Sequence, residues 1–158
     1  MKIQLLAIGT RMPEWVKQGY ADYAGRLNGK VKLELKEIQA GKRTKNSDVA
    51  RICKQESQKL IDAIPAGNIV VALEVEGQKW STEKLASQME NWMMSGRDVS
   101  LLVGGPEGMT KACRDRADYL WSLSPLTYPH PLVRVILAEQ LYRAWTVTEN
   151  HPYHRAGI

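Results

Sequence analysis

The chain has 158 residues, enough for one sizeable core and too few for two ordinary domains, so residues 1–158 are expected to form a single domain. Its 44% hydrophobic and 25% charged residues are those of a globular protein, and no apolar run approaches the ~20 residues that a bilayer-spanning helix needs, which argues against a membrane protein. A formal net charge of +5 makes a polyanionic partner plausible without separating nucleic acid from mere solubility.

The opening "MKIQLLAIGTRMPEW" has a basic residue and a short apolar run, but Arg11 and Pro13 interrupt it and no small-residue cleavage site follows; residues 2–9 read as a first strand, not a signal. Pro13 suits the first turn of a helix reaching about Leu27. "VKLELKEI" (31–38) is a second strand, and "AGKRTKNSD" follows as a polar loop carrying Lys42, Arg43 and Lys45. That loop is either a solvated connection or a phosphate contact. Ser47 or Asp48 caps a helix to about Ile64, stopped by Pro65 and Gly67. "NIVVALEV" (68–75) is a third strand, Ser81 or Thr82 starts a helix ending near Gly96, and "DVSLLVGG" (98–105) is a central strand. Thr110 caps a short helix through Ala117, "DYLWSLS" (118–124) is a fifth strand, and Pro131 opens a last helix to about Thr148. Strands alternating with helices, and strands apolar throughout such as Ile69 to Leu73, predict an α/β fold with a mostly parallel sheet covered on both faces. The two cysteines, Cys53 and Cys113, lie far apart within predicted helices, which fits a reducing, cytoplasmic setting.

Two loops follow adjacent strands at the edge where open α/β sheets bind ligands. "LLVGGPEGMT" places Gly104, Gly105 and Gly108 where a backbone must bend or a ligand approach closely, yet it matches neither the dinucleotide nor the P-loop spacing. "LSPLTYPHP" is stiffened by three prolines, which suits recognition through fixed backbone groups or simply blocks helix extension. Leu73, Glu74 and Glu76 at the end of the third strand are expected as further wall. The last helix is apolar nearly all round, with Val133, Ile136, Leu137, Leu141 and Ala144 on one side and Leu132, Val135, Tyr142 and Trp145 on the other; the second stripe predicts a partner subunit. Within it Glu139 and Arg143 stand at a pairing distance in sequence, and Arg134 has no such local partner and is free to face a ligand. The end "NHPYHRAGI" concentrates His151, Tyr153, His154 and Arg155, types that suit RNA contact; H-x-x-H without a nearby carboxylate or thiol cluster is a weak metal signal, and no metal is expected.

The blocks "LLVGGPEG", "WSLSPLTYPHPLVRVILAEQLYRAW", "NHPYHR", "AIGTRMPEW" and "AGKR" together resemble, in order and spacing along nearly the whole chain, the ribosomal large-subunit pseudouridine N3-methyltransferases (RlmH family) of the SPOUT methyltransferases. The resemblance implies a deep trefoil knot in the carboxyl-terminal part, a homodimer, and S-adenosyl-L-methionine bound through Leu73, Gly104 with Gly105, and the loop Leu123, Ser124, Pro125, Leu126, Thr127 and Tyr128. Pro125 and Tyr128 depart from other members, as does "AGI" after Arg155. The implied reaction methylates N3 of a pseudouridine in 23S rRNA, in the large subunit or the assembled ribosome, and needs no metal: an imide nitrogen must lose its proton while displacing the donor, helped by positioning and by stabilised imidate charge. Candidates for this are His154 as proton acceptor or orienting group and Arg143, Arg155 and Arg134 as cations, with Tyr153 stacking on the base and Lys42, Arg43 and Lys45 on phosphates. A non-catalytic ribosome-binding protein would explain the charge and tail but not the two loops; a nucleotide-dependent oxidoreductase would explain the loops but lacks its glycine fingerprint.

Overall fold

The computed structural model describes residues 1–155; the "AGI" segment singled out above lies outside the described residues. The elements, in chain order, are β1 (Lys2–Ile8), α1 (Glu14–Arg26), β2 (Lys32–Ile38), α2 (Val49–Asp62), β3 (Ile69–Lys79), α3 (Thr82–Ser95), β4 (Val99–Val103), α4 (Lys111–Arg116), β5 (Tyr119–Ser122) and α5 (His130–Thr148), followed by a 3-10 turn at Pro152–Arg155. Asp48 and Ser81 cap α2 and α3, accepting from the Arg51 and Lys84 N–H groups at 3.1 and 3.0 Å. Thr110 makes no side-chain cap at α4; instead its N–H donates to the buried Ser57 hydroxyl on α2 at 3.0 Å.

The five strands form one all-parallel sheet in the order β2-β1-β4-β3-β5, with β4 at the centre. Successive side chains of a strand point to opposite faces, so an unbroken apolar run feeds two cores. Ile3, Leu5, Val71 and Leu101 meet α1, α3 and α5 on one side; Leu6, Ile8, Val70, Ala72 and Leu102 meet α2 and α4 on the other.

β3 runs four residues beyond the predicted end, because it bulges after Leu73 and resumes pairing at Gln78 opposite Trp121. Gly77 permits this, since a Cβ there would lie 2.7 Å from the Leu120 backbone. The bulge turns Glu74 and Val75 toward the sheet edge, and the expectation that Glu76 joins the wall fails: Glu76 is exposed outside it.

The second stripe of α5 is partly occupied within the chain. Its own chain covers much of that stripe: Tyr142 is buried, with its ring 4.6 Å from that of Tyr153 and 6.0 Å from that of Trp145, while Val135 packs against Gly19 of α1. An all-round apolar helix is here sandwiched between the sheet, α1, α3 and the folded tail, so its pattern alone does not demand a partner.

Candidate active site

Three segments meet at the carboxyl ends of β3, β4 and β5 and enclose a cavity of about 340 Å³. Of the cofactor residues expected from the sequence, Leu73, Gly104, Gly105, Leu123, Ser124, Leu126, Thr127 and Tyr128 line it, whereas Pro125 is exposed outside the lining. The loop after β4 is a tight turn in which the Gly108 N–H donates to the Gly105 carbonyl at 2.9 Å, with Gly108 at φ +82°. A Cβ on Gly104 would come within 2.8 Å of the Gly108 backbone, which excludes a larger residue there, and one on Gly105 within 2.7 Å of Glu56 Oε1, so that the end of that side chain would have to shift. In the loop after β5 the Ser122 hydroxyl donates to the Ser124 carbonyl at 3.1 Å, and the Ser124 hydroxyl accepts from the Leu126 N–H at 3.0 Å, which fixes the turn and leaves Leu126 68% exposed at the mouth. The loop then crosses from the edge strand β5 past β3 and β4 to reach the end of β1, where His130 stands beside Gly9.

Several basic side chains have occupations that the sequence did not reveal. Arg43, expected on an RNA phosphate, donates instead to Glu56 (Nη2 to Oε1 2.7 Å, Nη1 to Oε2 2.8 Å), to Glu107 (Nη2 to Oε2 2.6 Å, Nε to Oε1 2.9 Å) and to the Gly41 carbonyl (3.1 Å). Its guanidinium is held firmly charged by these carboxylates, and it holds the Glu107 carboxyl below its usual range in return. Arg43 therefore ties the glycine loop to α2 and to residues 41–43, while Lys42 and Lys45 stay exposed. Arg134, expected to face a ligand, is 1% exposed; Nη1 donates to Glu37 Oε2 at 2.6 Å and Nη2 to the Gly9 carbonyl at 2.7 Å. Its partner lies 97 residues away, so it joins the ends of β1 and β2 to the start of α5.

The tail candidates form a second group. Arg143 pairs with Glu139 on α5 (Nη2 to Oε1 2.6 Å), the bland alternative that the spacing allowed, and this carboxylate keeps the guanidinium firmly charged. Tyr153 packs on Tyr142 and under Arg143, with its hydroxyl donating to Glu139 at 3.1 Å; burial and this carboxylate push the phenol up to about 12. Its ring is thus engaged within the chain, not presented as a free stacking platform. His154 is half-buried and Arg155 exposed. None of these lines the cavity: Glu139, where the tail is anchored, lies roughly 14 Å along α5 from His130 at the 1.5 Å rise of a helix.

Val103, Glu107 and His130 lie within the two segments singled out in the sequence without being named there as site residues, and Val133 is placed there only on the α5 stripe; all four are cavity wall. For His130 the available signal was its place in "YPHP" at the head of a helix entering the ligand edge. Burial, then the nearby Arg134 and Arg43 cations, lower its pKa below the usual value, which favours the neutral imidazole; among the described residues its buried Nδ1 has no hydrogen-bond partner. The Cys113 thiol is pushed up to about 11 by burial and is inert packing. Among the described residues no three His, Cys, Asp or Glu side chains gather as metal ligands, and no helix is long and apolar enough to cross a membrane.

A family model described as "Predicted SPOUT methyltransferase" matches residues 1–154. A curated relative from Thioalkalivibrio sulfidiphilus (strain HL-EbGR7), named Ribosomal RNA large subunit methyltransferase H, is 59% identical over 155 residues, covering 98% of this chain and 99% of the relative. A solved "probable methylase family protein" of Haemophilus influenzae Rd KW20 superposes with a TM-score of 0.58 at 12% identity, over 96% of this chain and 69% of that one, a likeness of fold alone. A match spanning nearly every residue, with the glycine turn and the proline-stiffened loop set together around one cavity, makes the chain a member of the SPOUT methyltransferase family, in its RlmH group.

Proposed function

We propose that the chain methylates N3 of a pseudouridine in 23S rRNA of the large ribosomal subunit, with S-adenosyl-L-methionine as donor. The observation that carries this reading is the cavity built from two rigid loops at the sheet's ligand edge, in a chain 59% identical to a ribosomal RNA large subunit methyltransferase H. The lining fits the donor. Leu73, Leu123 and Leu126 offer apolar surface to an adenosine, the backbone at Gly104 and Gly105 is open to polar contacts, and the Glu74 and Glu107 carboxylates complement sulfonium and ammonium charge. When bound, the donor supplies a methyl carbon activated by its sulfonium. The protein excludes water around it and holds the imide nitrogen in line.

Lys42 and Lys45, exposed on the loop after β2, hold RNA phosphates in this reading. Arg143, Arg155 and His154 stabilise the developing imidate and accept or orient its proton. Because the tail lies away from its own chain's cavity, it acts in the cavity of a partner subunit, and the functional unit is a homodimer; half-buried Leu132, Ile136 and Trp145 on α5 and exposed Trp15 on α1 are available for that contact. The trefoil knot belongs to the same reading, with the β5–α5 connection as its threaded segment. Two free cysteines and an rRNA substrate favour the cytoplasm.

The test supplies labelled S-adenosylmethionine to 70S ribosomes, to isolated large subunits and to naked 23S rRNA, each lacking the modification, and maps the product base by mass spectrometry. Label on a pseudouridine N3 supports the reading. A folded protein that transfers no methyl group to any of the three, or transfers it elsewhere, overturns it.

A further inference from the structure

The motif "AIGTRMPEW" runs from the end of β1 into the start of α1, yet the cavity described above uses none of it. In the fold it borders a second cavity of about 590 Å³ at the carboxyl ends of β1 and β2, walled by Gly9, Thr10, Arg11, Lys42, His130 and Pro131. Arg11 and Lys42, from two different loops, are both exposed at its rim, and among the described residues no carboxylate lines it. An open cavity whose charged groups are all cationic suits a phosphodiester chain.

Among the described residues His130 alone lines both cavities. Its ring sits over Gly9, where φ is +116° and a Cβ would lie 3.3 Å from His130 Cε1, so the bare backbone of Gly9 fixes the ring's place. Arg134 holds the same spot from beneath through the Gly9 carbonyl. The ring therefore forms a partition built from below, between a compartment suited to the methyl donor and one suited to an anionic chain.

We propose that the second cavity seats the nucleotide to be methylated, with Arg11 and Lys42 on its flanking phosphates and the flat His130 ring as the partition against which the acceptor base comes to rest. This rests on the rRNA methyltransferase reading and adds to it the place of the acceptor. A base stacked on an imidazole at this boundary presents its edge to the neighbouring compartment, where the donor methyl lies; the new N–C bond forms there as the sulfonium S–C bond breaks, and the imide proton leaves to solvent or to the tail.

The experiment uses the full chain with large subunits and a short rRNA fragment. The variant Arg11→Ala/Lys42→Ala keeps its melting temperature and its calorimetric affinity for S-adenosylmethionine. It binds the fragment about tenfold more weakly at moderate salt, and its log–log salt slope falls by about two, one for each cation removed. The control Lys59→Ala, on the exposed face of α2, keeps the wild-type slope. His130→Ala lowers kcat by about a hundredfold, and His130→Phe, which restores a flat ring, recovers most of it. Wild-type transfer with an unaltered salt slope in the double variant overturns the acceptor site while leaving the function standing; a wild type inactive on every substrate removes the function itself. Equal losses of kcat in His130→Ala and His130→Phe, with folding and donor affinity kept, overturn the partition.

Discussion

Arg43 Nη2 lies 2.7 Å from Glu56 Oε1 and 2.6 Å from Glu107 Oε2, so one guanidinium joins a buried carboxylate of α2 to a carboxylate in the wall of the first cavity. Removing it leaves Glu56 buried and unpaired except for the Gly41 N–H at 2.8 Å. Arg43→Ala is expected to lower stability by about 3 kcal/mol in urea unfolding, and Arg43→Lys, which cannot span both carboxylates, by about half of that. Donor affinity falls in both because the glycine loop loses its anchor. An unchanged unfolding midpoint in Arg43→Ala contradicts the anchoring role.

Stability also depends on His130. Its folded pKa lies below 6.5, because burial and then Arg134 and Arg43 disfavour the imidazolium more than the Glu56 carboxylate favours it. The unfolded chain therefore takes up the proton first, and this contribution is complete above pH 6.5 and lost as pH falls toward the folded pKa. Glu107, with its pKa below 4.5, loses its contribution only at still lower pH. Unfolding midpoints at pH 7.5 and 5.5 differ in the wild type and differ less in His130→Asn; NMR places the His130 titration below the ordinary histidine value of 6.5.

Gly104→Ala drives a Cβ against the Gly108 backbone at 2.8 Å, which has no room to yield, whereas Gly105→Ala meets the end of the Glu56 side chain at 2.7 Å. Both destabilise, by about 1 to 3 kcal/mol, with Gly104→Ala the worse. Calorimetry at a temperature where each remains folded should show weakened S-adenosylmethionine binding in both. A variant that binds as the wild type does shows that the turn tolerates the methyl group.

Truncation after Asn150 removes Tyr153 from its place against Tyr142 and frees one bond to Glu139. Loss of that aromatic pair costs roughly 1 kcal/mol, so the melting temperature drops while the chain still folds, a larger structural share than the tail's composition implies. Donor affinity is expected to be unchanged, since residues 151–155 line neither cavity of their own chain. Methyl transfer falls by orders of magnitude; full-rate transfer by the truncated chain excludes the tail from the reaction.

The sheet was legible because its signals are local. "NIVVALEV" is apolar on both faces, Asp48 and Ser81 are conventional caps, and both site loops follow their strands directly in sequence. Relationships that depend on distant segments were not legible. Nothing near Arg134 announces Glu37, and nothing near Arg43 announces Glu107, 64 residues on. A lone arginine on a helix and three cations in a polar loop look available in one dimension; in three, carboxylates from other elements claim two of them. Tyr142 likewise reads as a spare apolar surface until α1 and the tail close over it.

Because His130 stands in the wall of both cavities, neither compartment exists until the chain has been made past that residue. β1 to β4 precede it in the chain, and without β5 and α5 they leave the β3 edge unpaired and Gly9 with no partition above it. A chain is therefore mute toward both ligands until α5 has packed on the sheet, and it gains the two compartments together.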